Sequence, residues 1–154
     1  MNTIGRLDKI DLPGLNLTNL EAKVDTGAYG CALHCHHIAL VEENGKQILT
    51  FDVLDPDHPE YEKQIFRFEE FGDKVVKNTG GEPEHRYTIK TKVIIFNKSY
   101  VVEFSLTNRA QMKVPVLLGR KFLRKRFLVN VDLKDLSYKL KITNHENSST
   151  LKKP

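Results

Sequence analysis

The sequence predicts an all-β domain, a barrel with one short helix near its C-terminus. Three observations lead there. Eight short runs rich in Val, Ile, Leu, Phe and Tyr, many alternating with polar residues, are punctuated by Gly, Pro, Asn or Asp. Just one stretch reads as a helix. The chain has 154 residues, 40% of them hydrophobic, which suits a single domain with a modest core. No apolar run approaches the roughly 20 residues of a membrane helix, and two cysteines cannot make a disulfide scaffold.

In order, the predicted strands are 3–12, 20–24, 48–54, 64–68, 87–96, 99–106, 114–118 and 127–131. The run from Ile94 to Val102 reads as a hairpin with its tight turn at Asn97-Lys98. The predicted helix is Arg120 to Arg126, with Phe122 and Leu123 inward and Arg120, Lys121, Arg124 and Lys125 toward water. The domain is expected over residues 1–142, and the polar segment 143–154 is expected to be disordered.

Net charge is +4, but residues 42–73 hold ten acids against three bases, so the rest of the chain is strongly basic. Such a surface attracts nucleic acid or an acidic peptide alike. The basic helix lacks interleaved aromatics, and no nucleic-acid module is present, so no nucleic-acid partner is expected. Residues 1–11 lack the pattern of a secretory signal, which makes the reducing cytoplasm the expected compartment.

The chemistry begins at Asp25-Thr26-Gly27, where a β-run ends in a carboxylate. Gly27 permits a sharp turn that brings its N–H to the carboxylate, and Thr26 offers a hydroxyl to a neighbouring backbone. Alone, the tripeptide is most often a strand-ending turn. A second motif changes its meaning: Val116-Leu117-Leu118-Gly119, with Gly119 lying 94 residues beyond Asp25, runs straight into the basic helix. The pair resembles a retropepsin-like aspartic peptidase, in which an apolar strand ending in glycine buttresses the aspartate loop.

Further residues sharpen the resemblance. Ile4-Gly5-Arg6, Leu12-Pro13, Ala22 to Ala28, Ala32-Leu33-His34, Thr107-Asn108-Arg109, Met112, Leu117 to Arg120 and Phe127-Leu128-Val129 resemble a bacterial family named for ATP-dependent zinc protease activity. The resemblance spans roughly residues 3–140 and implies a retropepsin-like (acid protease) barrel. The chain departs from that family at Tyr29-Gly30-Cys31, where a more polar run of Arg-Thr-Ser type is expected. That departure bears on substrate contact.

The zinc and ATP in that family name have no motif here. There is no His-Glu-x-x-His and no Gly-x-x-x-x-Gly-Lys-Ser/Thr loop, so no cofactor is expected. His34 and His36 would share one face of a strand and are weak metal candidates that need a third ligand, while Cys31, Cys35 and His37 would share the other. Four strand steps place the cysteines ~13 Å apart, beyond disulfide reach.

Aspartic peptidases use two carboxylates that share one proton, one activating water and the other polarising the scissile carbonyl. This chain has a single Asp-Thr-Gly, so the second carboxylate must be Asp25 of another copy, and a homodimer is a requirement of the enzyme reading. Leu118 and Gly119 would support the loop. Ala28 cannot donate the hydrogen bond a serine would give the carboxylates, which predicts activity extending toward neutral pH. A flap is expected at 75–86, with Gly80-Gly81 at its tip. Substrate contacts are expected from Ala28, Lys77, Asn78, Thr79, Gly80, Gly81, Arg86, Arg109 and Arg120. The resemblance implies a functional link to an ATP-grasp ligase that adds glutamates to protein ends. With the basic charge balance, this suggests acidic, glutamate-rich peptides as substrates. The alternative is a non-catalytic peptide-binding or assembly domain of the same fold.

Overall fold

The computed structural model describes residues 1–53, 64–77, 80–108 and 114–151, the last seven of these as backbone only. Strands β1 (Asn2–Ile4), β2 (Leu7–Leu12), β3 (Leu17–Val24), β4 (Cys31–Glu43), β5 (Lys46–Val53), β6 (Ile65–Phe68), β7 (Gly72–Val76), β8 (Glu84–Ile95), β9 (Lys98–Thr107) and β10 (Val116–Leu118) lead into helix α1 (Arg120–Leu123). β11 (Phe127–Val129) and helix α2 (Leu136–Leu151) complete the chain.

Pairing closes a barrel. The hydrogen-bonded order β10, β3, β2, β8, β9, β4 returns to β10, which pairs with β4 as well as β3. Closure leaves those six strands without a free edge along their paired lengths. β10 runs parallel to β3 and antiparallel to β4, so it is inserted between two strands that are neighbours in sequence. The β3–β4 connection, residues 25–30, must therefore arch over the end of β10, and this topology brings Asp25 and Gly119 together across 94 residues of sequence. Beyond the barrel, β5 and β6 extend from β4, β7 pairs with β8, and β1 with β11 forms a small parallel sheet.

Alternation explains the burial. In β2 and β3, Asp8, Ile10, Leu12, Leu20, Ala22 and Val24 point inward while their neighbours face outward or lie half-buried. They join Leu33, Phe51, Ile89, Val93, Phe104, Leu106, Val116 and Leu118 in one core. Each fully buried Leu, Ile or Phe contributes about 1.5–3 kcal/mol.

Several expectations are corrected. The first run breaks into β1 and β2. The hairpin turn is Phe96-Asn97, one residue earlier than expected, and both residues have positive φ (51° and 58°). Phe96 accepts that backbone because its ring is buried, 5.5 Å from Phe127, and its N–H donates to Ser137 Oγ at 2.7 Å. The helix expected over 120–126 ends at Leu123, and Lys125 turns to φ 64°. A second helix, α2, was not expected, and its backbone stays helical through Leu151, where a disordered tail was expected from 143. Its start is fixed from far away: the buried Asp8 carboxylate accepts the N–H groups of Ser137 (2.9 Å) and Tyr138 (3.1 Å), a capping role taken by a side chain distant in sequence. Lys141 then reaches Asp11 at 2.8 Å. No helix among the described residues is long and apolar enough to cross a membrane.

Candidate active site

Asp25 follows β3 directly and is half-buried, and its surroundings fix its backbone on both sides. Its N–H donates to the Leu118 carbonyl at 3.0 Å, and the N–H of Val24 donates to Arg6 at 2.9 Å. The loop then folds on itself: Ala28 N–H donates to the Asp25 carbonyl at 3.2 Å, and Gly27 N–H to Asp25 Oδ1 at 3.0 Å. That last contact holds one carboxylate oxygen in place. Thr26 is exposed, and its carbonyl accepts Arg120 Nη1 at 2.9 Å.

The first turn of α1 grips the same loop. Arg120 N–H donates to Ala28 O at 2.9 Å and Lys121 N–H to Tyr29 O at 2.8 Å. Gly119 makes this grip sterically feasible, because a Cβ there would stand 2.2 Å from the Gly30 carbonyl oxygen and 2.7 Å from that of Tyr29. Leu118 and Gly119 thus lie directly against the Asp25 loop.

A cleft of about 860 Å³ opens over Asp25. The loop lines it with Gly27, Ala28, Tyr29 and Gly30, and the barrel floor with Ala32, Ser105 and Leu117. The β7–β8 hairpin adds Lys74, Val75, Val76, Lys77 and Arg86, and Arg120 completes the wall. Among these lining residues Asp25 is the one carboxylate, against four cations. Arg86 is buried, donating to Glu84 at 3.0 Å and to Ser105 Oγ at 3.4 Å. Ser105 Oγ in turn donates to the Cys31 carbonyl at 3.3 Å, which ties the hairpin strand to the end of the aspartate loop.

Of the substrate-contact candidates, Ala28, Lys77, Arg86 and Arg120 come together at this cleft. Gly80 and Gly81 lie in the β7–β8 connection, Gly80 at φ 74°, and do not line it. Asn78, Thr79 and Arg109 lie outside the described residues. Sequence reasoning missed Lys74 and Ser105, and it noted Tyr29 only within a departure that bears on substrate contact. Lys74 pairs with Arg86 across the hairpin, and a Cβ on Gly30 would come within 2.8 Å of its Nζ, so the small residue after Tyr29 makes room for an ammonium group. Hairpin register would have located Lys74, had the strand bounds been known.

The histidine cluster behaves differently from a regular strand. His37 takes φ 54° at a bulge between His36 and Ala39, which breaks the expected alternation, and its Nδ1 lies 3.0 Å from Asp52 Oδ2. His34 is buried. Among the described residues no group of three His, Cys, Asp or Glu side chains converges, so His34 and His36 find no third ligand there. Cys31 and Cys35 are free thiols, and burial pushes both above the ordinary thiol range.

A closed barrel with a strand inserted between its neighbours, carrying an Asp-Thr-Gly loop against an apolar strand that ends in glycine, defines a retropepsin-like protein. The chain belongs to the RimB-like family, whose model, described as retropepsin-like aspartic endopeptidase RimB, matches residues 3–139. It is also similar to proteins named "Probable alpha-L-glutamate ligase". The one from Parasynechococcus marenigrum is 32% identical over 131 residues, covering 82% of this chain and 27% of that protein. The one from Shewanella pealeana is 30% identical, covering 82% and 28%. The chain therefore spans just over a quarter of the length of these curated relatives. A solved structure from Legionella pneumophila, of a protein with unknown function, superposes with TM-score 0.68 at 29% identity, covering 88% of this chain and 98% of that one.

Proposed function

We propose that this chain is an aspartic endopeptidase whose dyad is formed by Asp25 from two copies, acting on acidic, glutamate-rich peptides. The observation that carries the reading is the isolation of Asp25: it is held by Gly27 N–H and the Leu118 carbonyl, and among the described residues it is the one carboxylate lining a cleft large enough for a peptide. One carboxylate cannot at the same moment be ionised to activate water and protonated to polarise the scissile carbonyl, and the two-fold axis of a homodimer supplies the second.

In the dimer, like charges so close share one proton. The ionised Asp25 takes a proton from a water molecule as the water oxygen attacks the scissile carbonyl carbon. The protonated Asp25 of the other copy hydrogen-bonds the carbonyl oxygen as charge develops there. A proton then passes to the amide nitrogen, the C–N bond breaks, and a carboxylic acid and an amine leave. The exposed Thr26 of each copy is placed to bond the other's loop, and the β7–β8 hairpin covers the peptide.

Lys74, Lys77 and Arg120 on the cleft wall favour acidic side chains, while Arg86 is buried against Glu84. The relatives' printed name points the same way, because a related domain forms part of chains named for joining glutamate. An ATP-grasp glutamate ligase is accordingly the functional partner, and a reducing cytoplasm suits the free thiols. The test is hydrolysis of a glutamate-rich peptide by wild type and by Asp25→Asn. Turnover lost and binding retained supports the peptidase; a variant unchanged in every assay supports the binding-module alternative.

A further inference from the structure

The strand face that forms part of the cleft does not stop at the cleft. On β7, β8 and β9 it runs through Lys74 opposite Arg86, then Gly72 opposite Thr88 and Thr88 opposite Ser105. Alternation carries the same face on to Lys90 opposite Glu103 and Lys92 opposite Val101. The floor stays low at Gly72, where a Cβ would stand 2.8 Å from Thr88 Oγ1. Val101 is 72% exposed, and Lys90 and Lys92 stand in water. Lys121 and Arg126 share a small hollow with Val101. Among the described residues none of these four cations has an ion-pair partner. Of the acids on this flank, Glu103 is drawn to Lys74 at 3.9 Å and Glu70 borders the hollow beside Lys90. One exposed valine needs no explanation, whereas a valine among unpaired cations, on a face continuous with a peptide cleft, is a surface with a defined chemistry.

We propose that this face is an exosite, a second contact surface outside the cleft, which holds the acidic stretch of a substrate chain that continues out of the cleft. The proposal rests on the peptide-cleft reading above and extends it to residues that do not line the cleft. Lys90 and Lys92, two apart on β8, project on one side about 6.6 Å from each other, and an extended peptide presents its own alternate side chains at the same interval. From Arg86 to Lys92 the strand advances about 20 Å, so about six residues of acidic chain would run from the cleft to the end of the face. The strand positions of this face carry no aromatic ring on which a base could stack, which favours an acidic peptide over single-stranded nucleic acid. Long acidic chains are therefore held more tightly than short ones that fill the cleft alone.

The test uses the full chain with Asp25→Asn, so that bound peptide is not consumed. Anisotropy measures its affinity for a fluorescent acidic peptide that fills the cleft, alone and extended at either end in turn by about six Glu or about six Ser. At one end the Glu extension should tighten binding at least about fivefold over the Ser extension, and added salt should remove the gain. Lys90→Glu with Lys92→Glu, both at exposed positions outside the cleft, should abolish the gain and leave the unextended peptide unchanged. Lys92→Gln should remove part of it, and decides the matter if the double variant loses the unextended peptide as well. Equal affinity for the Glu and Ser extensions at both ends overturns the proposal, as does a gain that survives the substitutions. An oligonucleotide of equal charge that binds as tightly, and is lost in the same variants, would make this a nucleic-acid surface and also overturn it. Cleavage of the unextended peptide by wild type is scored separately: no cleavage with the length-dependent gain intact would keep the exosite and remove the reaction.

Discussion

The α-carbon of Gly119 is packed so closely against the Gly30 carbonyl that a methyl group added there would lie 2.2 Å from the oxygen. Both partners are backbone, so neither can swing aside. Gly119→Ala should force α1 away from the aspartate loop, lose hydrolysis, and destabilise the protein by about 3 kcal/mol, the upper range for overpacking. Urea unfolding alongside peptide turnover checks this; a variant with wild-type stability and turnover would show that the corner tolerates separation.

Arg120 joins the loop through two features, its Nη1 hydrogen bond to the Thr26 carbonyl and its charge at the cleft. Because it is exposed, its removal should cost at most about 1 kcal/mol of stability. Arg120→Ala should raise KM for an acidic peptide and lower kcat. Arg120→Lys should recover most of KM and little of kcat, since lysine keeps the charge and lacks the planar fork. Equal recovery of both constants would assign Arg120 to charge alone.

Asp8 carries the clearest pH dependence of stability. Burial pushes its carboxyl above the ordinary 3.8, although the N–H groups of Ser137, Lys9 and Tyr138 pull the other way. The folded state then holds the proton to higher pH than the unfolded chain does. Its effect on stability is therefore most favourable below 3.8 and declines as pH rises from there through the folded value. Urea unfolding of wild type and Asp8→Asn over a pH series starting near 3.8 should show a declining difference, wild type minus variant. A rising difference would mean that the three backbone donors outweigh burial.

The thiols give a further readout. Burial raises both Cys31 and Cys35, and Cys35 is fully buried in the core, so the reactive thiolate is scarce and shielded. In the folded protein at neutral pH both should react with iodoacetamide at least about a hundredfold more slowly than in urea. Rapid labelling of Cys31 in the native state would show that the β4–β10 corner opens readily.

The legible and illegible parts of this chain differ in range. Asp25-Thr26-Gly27 and Leu118-Gly119 were readable because the corner they build requires those residues whatever surrounds it. Most strands were readable from alternation, with ends displaced where tertiary packing decides, as at Phe96, whose positive φ depends on burial beside Phe127, whereas β4 and β7 were not among the predicted runs. Helix α2 was illegible because its cap, Asp8, lies 129 residues from Ser137. Lys74 was missed for a similar reason: its place in the cleft follows from its pairing with Arg86 and the space above Gly30.

The measurement that bears most directly on the shared dyad is a mixing titration. Asp25→Asn protein is blended into wild type at constant total concentration, under exchange conditions, and hydrolysis of an acidic peptide is followed. If each site draws one Asp25 from each of two copies, activity should follow the square of the wild-type fraction, with about a quarter remaining at equal parts. Activity that falls in direct proportion to the wild-type fraction would mean that one chain suffices, and would contradict the account.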